Sequence, residues 1–427
     1  MAREFKDSGI EWIGQIPKEW DVCPHKSVMF KKKEIQEHYT GQDIISLTMN
    51  GVIVRDLEGG GKMPLSFDGY QIVYPNNLLL CLFDIDVTPR CVGLIKNYGL
   101  TSPAYSQFVV KEKGYPPYYN YLLRYIDDNK CFLHLSKNLR SSLTETDFGQ
   151  IYTCVPPLFE QQKIANYLDK VCGEVDEMVS LQEKMIEELK AYKQSIITEA
   201  VTKGLNPNVP MKDSGIDWIG EIPEHWNQAK TLYVLSMPIT DGPHTTPDLY
   251  DEGIPFISAD AVSDGYINFE NKRGYVSRDF YEECCKKYIP QRDDIYMIKS
   301  GASTGRTAIV DTDEVFTIWS PLAVFRVDKN KMTPNFLLYV LRSNGYQKQV
   351  ENNWSYGTQQ NIGMRTLERL IISYPSLSEQ QQIASYLDTK SSEIDSLIAL
   401  KQQKIEELKE YKKSVIYEYV TGKKEVA

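Results

Sequence analysis

The chain repeats itself, and that repeat constrains its fold more than any other feature. Residues 5–20 read FKDSGIEWIGQIPKEW and residues 211–226 read MKDSGIDWIGEIPEHW, with 11 of 16 positions identical at an offset of 206. A second pair follows each motif. Residues 160–202 open with EQQKIANYLD and contain IEELKAYKQSII; residues 379–421 open with EQQQIASYLD and contain IEELKEYKKSVI. These stretches share 23 of 43 positions at an offset of 219. Between motif and helix the two copies barely resemble each other. A period near 210 residues is far too long for a solenoid. Two similar frames holding dissimilar contents suggest one scaffold that carries two different readers.

The organisation expected is a motif at 1–20, a variable block at 21–155, a long helix at 156–204, a linker and second motif at 205–226, a second block at 227–373, and a second long helix at 374–427. In the first helix Leu168, Val171, Val175, Met178, Gln182, Met185, Leu189, Tyr192 and Ile196 alternate spacings of three and four. In the second, Leu387, Ile394, Leu397, Lys401, Ile405, Leu408, Tyr411 and Val415 follow a similar seam, so a coiled coil is predicted. Gln182 and Lys401 each interrupt their seam. Forty-odd residues make a rod of roughly 60 Å. An antiparallel pair is expected, because a parallel one needs a long return connection. Each variable block reads as α+β. Strands are predicted at DIISLT, QIVYP, NLLLCLFDI, CVGLIK and SQFVVKE in the first and at 254–260, 294–300, 307–310 and 322–328 in the second; helices are predicted at 115–126 and 333–343.

The formal net charge is −10, but it is unevenly distributed. Residues 21–155 carry 14 basic and 14 acidic side chains, and residues 227–373 carry 16 and 18. Most of the acidity therefore lies in the frame, outside the blocks. No run of about 18 uncharged apolar residues is present, so no transmembrane helix is expected. The start MAREFKDSGIEW has no apolar core typical of a signal peptide. The eight cysteines form no CxxC pair, which makes a reduced, cytoplasmic chain the expectation.

Catalytic motifs fail on physical tests. Gly301-Ala302-Ser303-Thr304-Gly305 matches a serine-hydrolase elbow, but that elbow needs a histidine after it in the chain. All five histidines (25, 38, 134, 225 and 244) precede Ser303. A glycine turn between strands, or a donor-rich loop lying near a phosphate backbone, suits it better. Tyr115-Pro116-Pro117-Tyr118 brushes against an amino-methyltransferase motif, but a tyrosine stands where an amide or carboxylate belongs. Pro117 instead aligns with Pro334, each opening an apolar helix. Gly59-Gly60-Gly61-Lys62 lacks the hydroxyl residue of a P-loop and reads as a turn. No histidine pair has metal spacing. Neither a cofactor nor a metal is expected in this chain.

The two motif starts, the EQQxIAxYLD openings of both helices and the IEELKxYKxSxI stretches near their ends together resemble the specificity subunit of type I restriction-modification systems, over nearly the whole chain. The resemblance implies two target recognition domains held apart by an antiparallel coiled coil, each reading one part of a bipartite double-stranded DNA target. It implies a non-catalytic subunit that binds two methyltransferase subunits, with restriction subunits completing the complex. S-adenosylmethionine would then belong to the methyltransferase subunit, and ATP with Mg to the restriction subunit. N6-adenine methylation is likewise implied. On B-DNA, groove faces recur about every 34 Å, so rod length would set the spacing of the two parts. The alternative is a non-catalytic assembly scaffold whose blocks bind proteins; a fused enzyme is disfavoured by the missing cofactor loop.

Three loops of the second block are the DNA-binding candidates. DGPHTTPD (241–248) offers His244, Thr245 and Thr246. KSGASTGR (299–306) offers Lys299, Ser300, Ser303, Thr304 and Arg306. WSYGTQQN (354–361) offers Trp354, Tyr356, Thr358, Gln359, Gln360 and Asn361. Amide side chains can pair with adenine and cationic ones with guanine, while hydroxyls and lysines more often meet phosphates. Projecting the helix alignment back selects Lys137, Asn138, Arg140 and Ser141 in the first block. Arg90, Lys96, Asn97 and Tyr105 are further candidates there. Trp12, Trp20, Trp218 and Trp226 of the repeated motif are candidate partner-binding residues, against the plainer reading that the motif tucks onto its own domain.

Overall fold

The computed structural model describes residues 3–58, 64–88, 90–136, 141–356 and 360–426, with only the main chain of Tyr356. The chain packs as two compact units, one of residues 1–183 with 403–427 and the other of residues 184–402. The Gly59–Lys62 turn lies outside the described residues.

The first unit centres on a four-stranded antiparallel sheet in the order Met29–Lys32, Ser106–Val110, Leu78–Leu80, Val92–Leu94. Leu78, Leu79 and Leu80 are all buried, because this inner strand is covered on both faces. The hairpin Ile45–Thr48 with Gly51–Val54, and the strand pair Gln71–Val73 with Gly99–Thr101, extend the β layer. The helix Pro116–Asp128 lays Tyr118, Tyr119, Leu122, Leu123 and Ile126 into the core. The end of the chain closes this unit: the Tyr118 hydroxyl donates to the Val420 carbonyl at 2.9 Å, and Lys423 Nζ to the Ile13 carbonyl at 3.0 Å.

The second unit repeats that plan. Its five-stranded sheet runs Thr240–Asp241, Leu322–Phe325, Ile295–Ile298, Thr307–Ile309, Gly265–Tyr266, with only the last pair parallel. A three-stranded sheet of Gly274–Val276, Ile254–Ile257 and Thr317–Ile318 stands beside it. The helix Pro334–Arg342 fills the core from Phe336 to Leu341.

Both units join block to frame with the same polar clamp. Gln161 accepts from the Tyr115 amide at 2.8 Å and donates to the carbonyls of Pro156 (2.8 Å) and Lys113 (3.1 Å). Gln380 does the same with the Thr333 amide (2.8 Å), Pro375 (3.0 Å) and Lys331 (2.9 Å). Each glutamine is wholly buried with its amide satisfied, which removes the desolvation cost of burying it. The clamp equates Tyr115 with Thr333, so Pro116, not Pro117, is the counterpart of Pro334. Tyr121 with Asp169 and Tyr339 with Asp388, both 2.7 Å, repeat the same offset.

The long helices span Leu158–Lys203 and Leu377–Val420, and each is followed by a glycine in the left-handed region (Gly204 and Gly422) that ends it. They pair antiparallel within each unit. In the first unit Tyr167 meets Tyr419 with ring centres 4.4 Å apart, and Asp176 meets Lys412. In the second unit Lys401 Nζ approaches Met185 Sδ at 3.5 Å, and Lys193 meets Asp395. The seam differs from expectation by one residue at alternate positions. Met178, Tyr192, Leu397 and Tyr411 are exposed, while Val179, Lys193, Ile398 and Lys412 are half-buried in their place, beside buried Cys172 and Ile186. Two apolar stripes flank the shared one of Leu168, Val175, Gln182 and Leu189. A three-then-four and a four-then-three reading both satisfy the periodicity, and the partner packs on the four-residue side.

Candidate nucleic-acid interface

In the second unit the strand Ile295–Ile298 runs out of the core into the KSGASTGR loop. Gly301 and Gly305 have φ of 101° and 94°, values that a side chain disfavours. These glycines let the loop double back so that the Ile298 amide bonds the Arg306 carbonyl at 2.9 Å. It is a turn between two strands, as the failed hydrolase match suggested. Thr304 Oγ1 is spent on the Gly301 carbonyl at 2.7 Å, which fixes the turn rather than leaving a donor for a ligand. Ser300 and Ser303 are half-buried, and Arg306 is exposed.

The second predicted loop lies directly on the first. Ile362 donates to the Lys299 carbonyl at 2.9 Å, Gly301 donates to the Gln360 carbonyl at 3.0 Å, and Ser300 bridges to Asn361. Ser355–Tyr356 and Gln360–Asn361 form a small antiparallel hairpin, with Gln360 half-buried and Asn361 exposed. Thr358 and Gln359 lie outside the described residues, and of Tyr356 only the main chain is described.

The third loop joins through a buried carboxylate. Asp241 is 1% exposed at the edge of the five-stranded sheet and gathers two lysines and a histidine. Lys299 Nζ is 3.3 Å and His244 Nε2 3.3 Å from its Oδ2, and Lys287 Nζ bonds its Oδ1. Gly242 follows, and a Cβ there would stand 2.1 Å from the Ile318 carbonyl oxygen. No side chain fits, so glycine is what lets this loop lie against the Thr317–Ile318 strand. His244, Thr245 and Thr246 then emerge exposed. The three loops, spread over more than a hundred residues of sequence, thus form one continuous edge with exposed side chains from each.

In the first unit the equivalent connection is residues 82–91. Leu143 donates to the Leu82 carbonyl at 2.8 Å and Ile85 to the Ser141 carbonyl at 3.1 Å, which mirrors Ile362 on Lys299 and Gly301 on Gln360. Ser141 therefore adjoins this loop, with φ of 45°. Phe83 and Val87 are exposed on it, and sequence reasoning passed over both. The alignment of the clamp glutamines, carried back along each block, is the signal that would have found them. Arg90 closes the loop half-buried; burial, with the nearby Arg124 charge, lowers its pKa. Lys96 does not join this group. It stands exposed at the other end of the strand Val92–Leu94, next to exposed Asn97 and Tyr98, and Tyr98 packs edge-on to Tyr74. Tyr105 is half-buried against Phe83, with ring centres 6.4 Å apart. Lys137, Asn138 and Arg140 lie outside the described residues.

The tryptophans of the repeated motif divide into two kinds, which corrects the partner-binding expectation for half of them. Trp20 is 0% and Trp226 1% exposed. Their indole N–H groups donate to Glu160 at 2.8 Å and Glu379 at 3.1 Å, at the starts of the long helices. Enclosed in their own cores, they cannot present a surface to a partner. Trp12 is half-buried beside a groove of about 500 Å³ with Gly9, Ile10 and Tyr152 on its walls. Trp218 is 40% exposed.

Among the described residues no cluster of histidine, cysteine or acidic side chains could hold a metal ion. Among them, too, no helix is long and apolar enough to cross a membrane.

Comparison with known proteins bears on this arrangement. Residues 243–410 match the family model of the type I restriction modification DNA specificity domain. The chain is 28% identical over 319 residues to the type I restriction enzyme MjaX specificity subunit of Methanocaldococcus jannaschii, covering 73% of this chain and 69% of that one. It is 26% identical over 280 residues to the MjaVIII specificity subunit of the same organism, covering 65% and 63%. Among solved structures, a chain from a study of complex assembly and conformational transition of the type I R-M system superposes with a TM-score of 0.70 at 17% identity, over 95% of this chain and 98% of that one. The HsdS subunit from Thermoanaerobacter tengcongensis gives 0.51 at 16%, over the same shares. At these identities the two structures speak for the fold.

Proposed function

We propose that this chain, which belongs to the specificity subunits of type I restriction-modification systems, recognises a bipartite double-stranded DNA target without catalysing a reaction itself. The observation that carries the reading is the meeting of the loops at 241–248, 299–306 and 354–361 on one edge of the second unit, through Asp241 with Lys299 and Ser300 with Asn361. Side chains of unlike chemistry on one edge suit base and phosphate contacts together. The first block presents its 82–91 loop and Ser141 in the corresponding place, so each block reads one part of the target. The antiparallel helices serve as the spacer, and their repeated surfaces offer equivalent docking sites to two methyltransferase subunits. Those subunits supply the S-adenosylmethionine chemistry; restriction subunits, when bound, supply ATP and Mg. The complex works in the cytoplasm.

The test is salt-dependent binding. The chain with its methyltransferase partner should bind a duplex bearing both parts of the target far more tightly than one bearing either part alone. Its affinity should fall as salt rises, because phosphate contacts release counterions. Equal binding to all three duplexes rejects the reading.

A further inference from the structure

The edge built by the three loops continues onto a residue outside all of them. Arg273 follows the 3-10 turn Phe269–Asn271 and donates its amide to the Phe256 carbonyl at 2.9 Å. On the next strand but one, Trp319 donates its amide to the Ile257 carbonyl at 2.8 Å. Arg273 is exposed, and its guanidinium lies over the Trp319 ring with 4.0 Å between guanidinium carbon and ring centre. Trp319 also backs the DGPHTTPD loop. A Cβ on Gly242 would stand 2.7 Å from the Trp319 carbonyl carbon, and Lys287 spans from Asp241 to the Gly242 carbonyl at 3.4 Å. Arg273, Trp319, Gly242 and the Asp241 cluster are therefore contiguous.

Among the described residues Arg273 stands without an acidic partner. Arg278, Arg292, Arg326 and Arg342 of the same unit pair with Glu282, Asp313, Asp294 and Asp264. An arginine stacked on an indole keeps its planar fork free at the edge and has little rotamer freedom left to lose on binding. That is the preparation needed for a bidentate contact to the paired acceptors of guanine.

We propose that Arg273, positioned by Trp319, reads a guanine in the part of the DNA target recognised by the second block. This rests on the DNA-recognition reading above.

The test maps modified bases in cells carrying the chain and its partner subunits, so that the recognised motif is read directly from the modified sites. Wild type should yield a two-part motif; if it yields none, the parent reading falls and takes this one with it. Arg273→Ala should relax or lose one guanine position in one part and leave the other part unchanged. Trp319→Leu should relax the same position, while Arg278→Ala leaves the motif as it is. Where Arg273→Ala abolishes modification altogether, purified complexes decide. A loss of affinity of at least tenfold on the target duplex but not on an unrelated duplex, unrescued by Arg273→Lys, supports the guanine contact. Equal losses on both duplexes, rescued by lysine, mean a phosphate contact and overturn it. So does an unchanged motif in a stably expressed Arg273→Ala complex.

Discussion

Lys412 Nζ stands 2.6 Å from both carboxylate oxygens of Asp176. Its repeat counterpart, Lys193, stands 2.9 Å from both oxygens of Asp395. Both lysines and both aspartates are related by the 219-residue offset of the repeat. Each lysine occupies a seam position, with its stem against the partner helix and its charge at the rim.

These pairs should help fix helix register. Lys412→Glu places like charges together and should destabilise the first unit by about 1 kcal/mol. The exchange Asp176→Lys with Lys412→Glu should restore most of that loss. Denaturant titration of the single and double variants measures it, and additive losses in the exchanged variant argue that the pair contributes nothing.

Trp20→Ala and Trp226→Ala should each cost about 3–5 kcal/mol, because they empty a large buried volume and take one of two hydrogen-bond partners from a helix-start glutamate, leaving Arg3 on Glu160 and His225 on Glu379. Trp218→Ala should change stability by well under 1 kcal/mol. Copurification with the methyltransferase subunit then separates docking from folding: loss of the partner by folded Trp12→Ala or Trp218→Ala assigns the motif surface to that interface. Retention by both leaves the motif a purely structural role.

His25 is buried and its Nδ1 lies 3.2 Å from the Phe148 carbonyl, while burial lowers its pKa from 6.5 to about 4. The folded state therefore holds the ring neutral where the unfolded chain is protonated. Stability is full above pH 6.5 and falls as pH drops from 6.5 toward 4, since the unfolded state binds the extra proton. The loss should reach about 3 kcal/mol. His25→Phe should flatten this part of the pH profile; an equally steep profile in that variant assigns the dependence to other groups.

If the second block reads DNA as proposed, Gln359→Ala combined with Gln360→Ala should abolish recognition of its part of the target. Gly242→Ala should do the same through geometry, because its methyl group would meet the Ile318 carbonyl and push the DGPHTTPD loop off the sheet. Methylation of the unchanged two-part target by either variant refutes the corresponding assignment.

The repeated frame was legible in the linear chain because its constraints are local and periodic. Identical helix openings, apolar residues spaced by three and four, and prolines at helix starts are visible without knowing what they touch. The central strands Leu78–Leu80 and Ile295–Ile298 were legible for a similar reason, as continuous apolar runs too short for helices. Conflicting signals blurred finer details. The apolar face of each long helix is wide enough to support two phases, and only packing selected Val179 over Met178 and Ile398 over Leu397.

The candidate interface divides along the same line. Sequence singled out the KSGASTGR and WSYGTQQN loops by their glycines, amides and hydroxyls, which are properties of single segments. It could not say that Asp241 is buried, that Lys299 and His244 converge on it, or that Arg273 rests on Trp319. Those facts depend on strand order, which brings together residues far apart in the chain. Composition and spacing settled what kind of frame this protein builds, because helix periodicity and repetition act over a few residues. Which side chains face outward on one edge, and which tryptophans vanish into a core, was decided only by long-range packing.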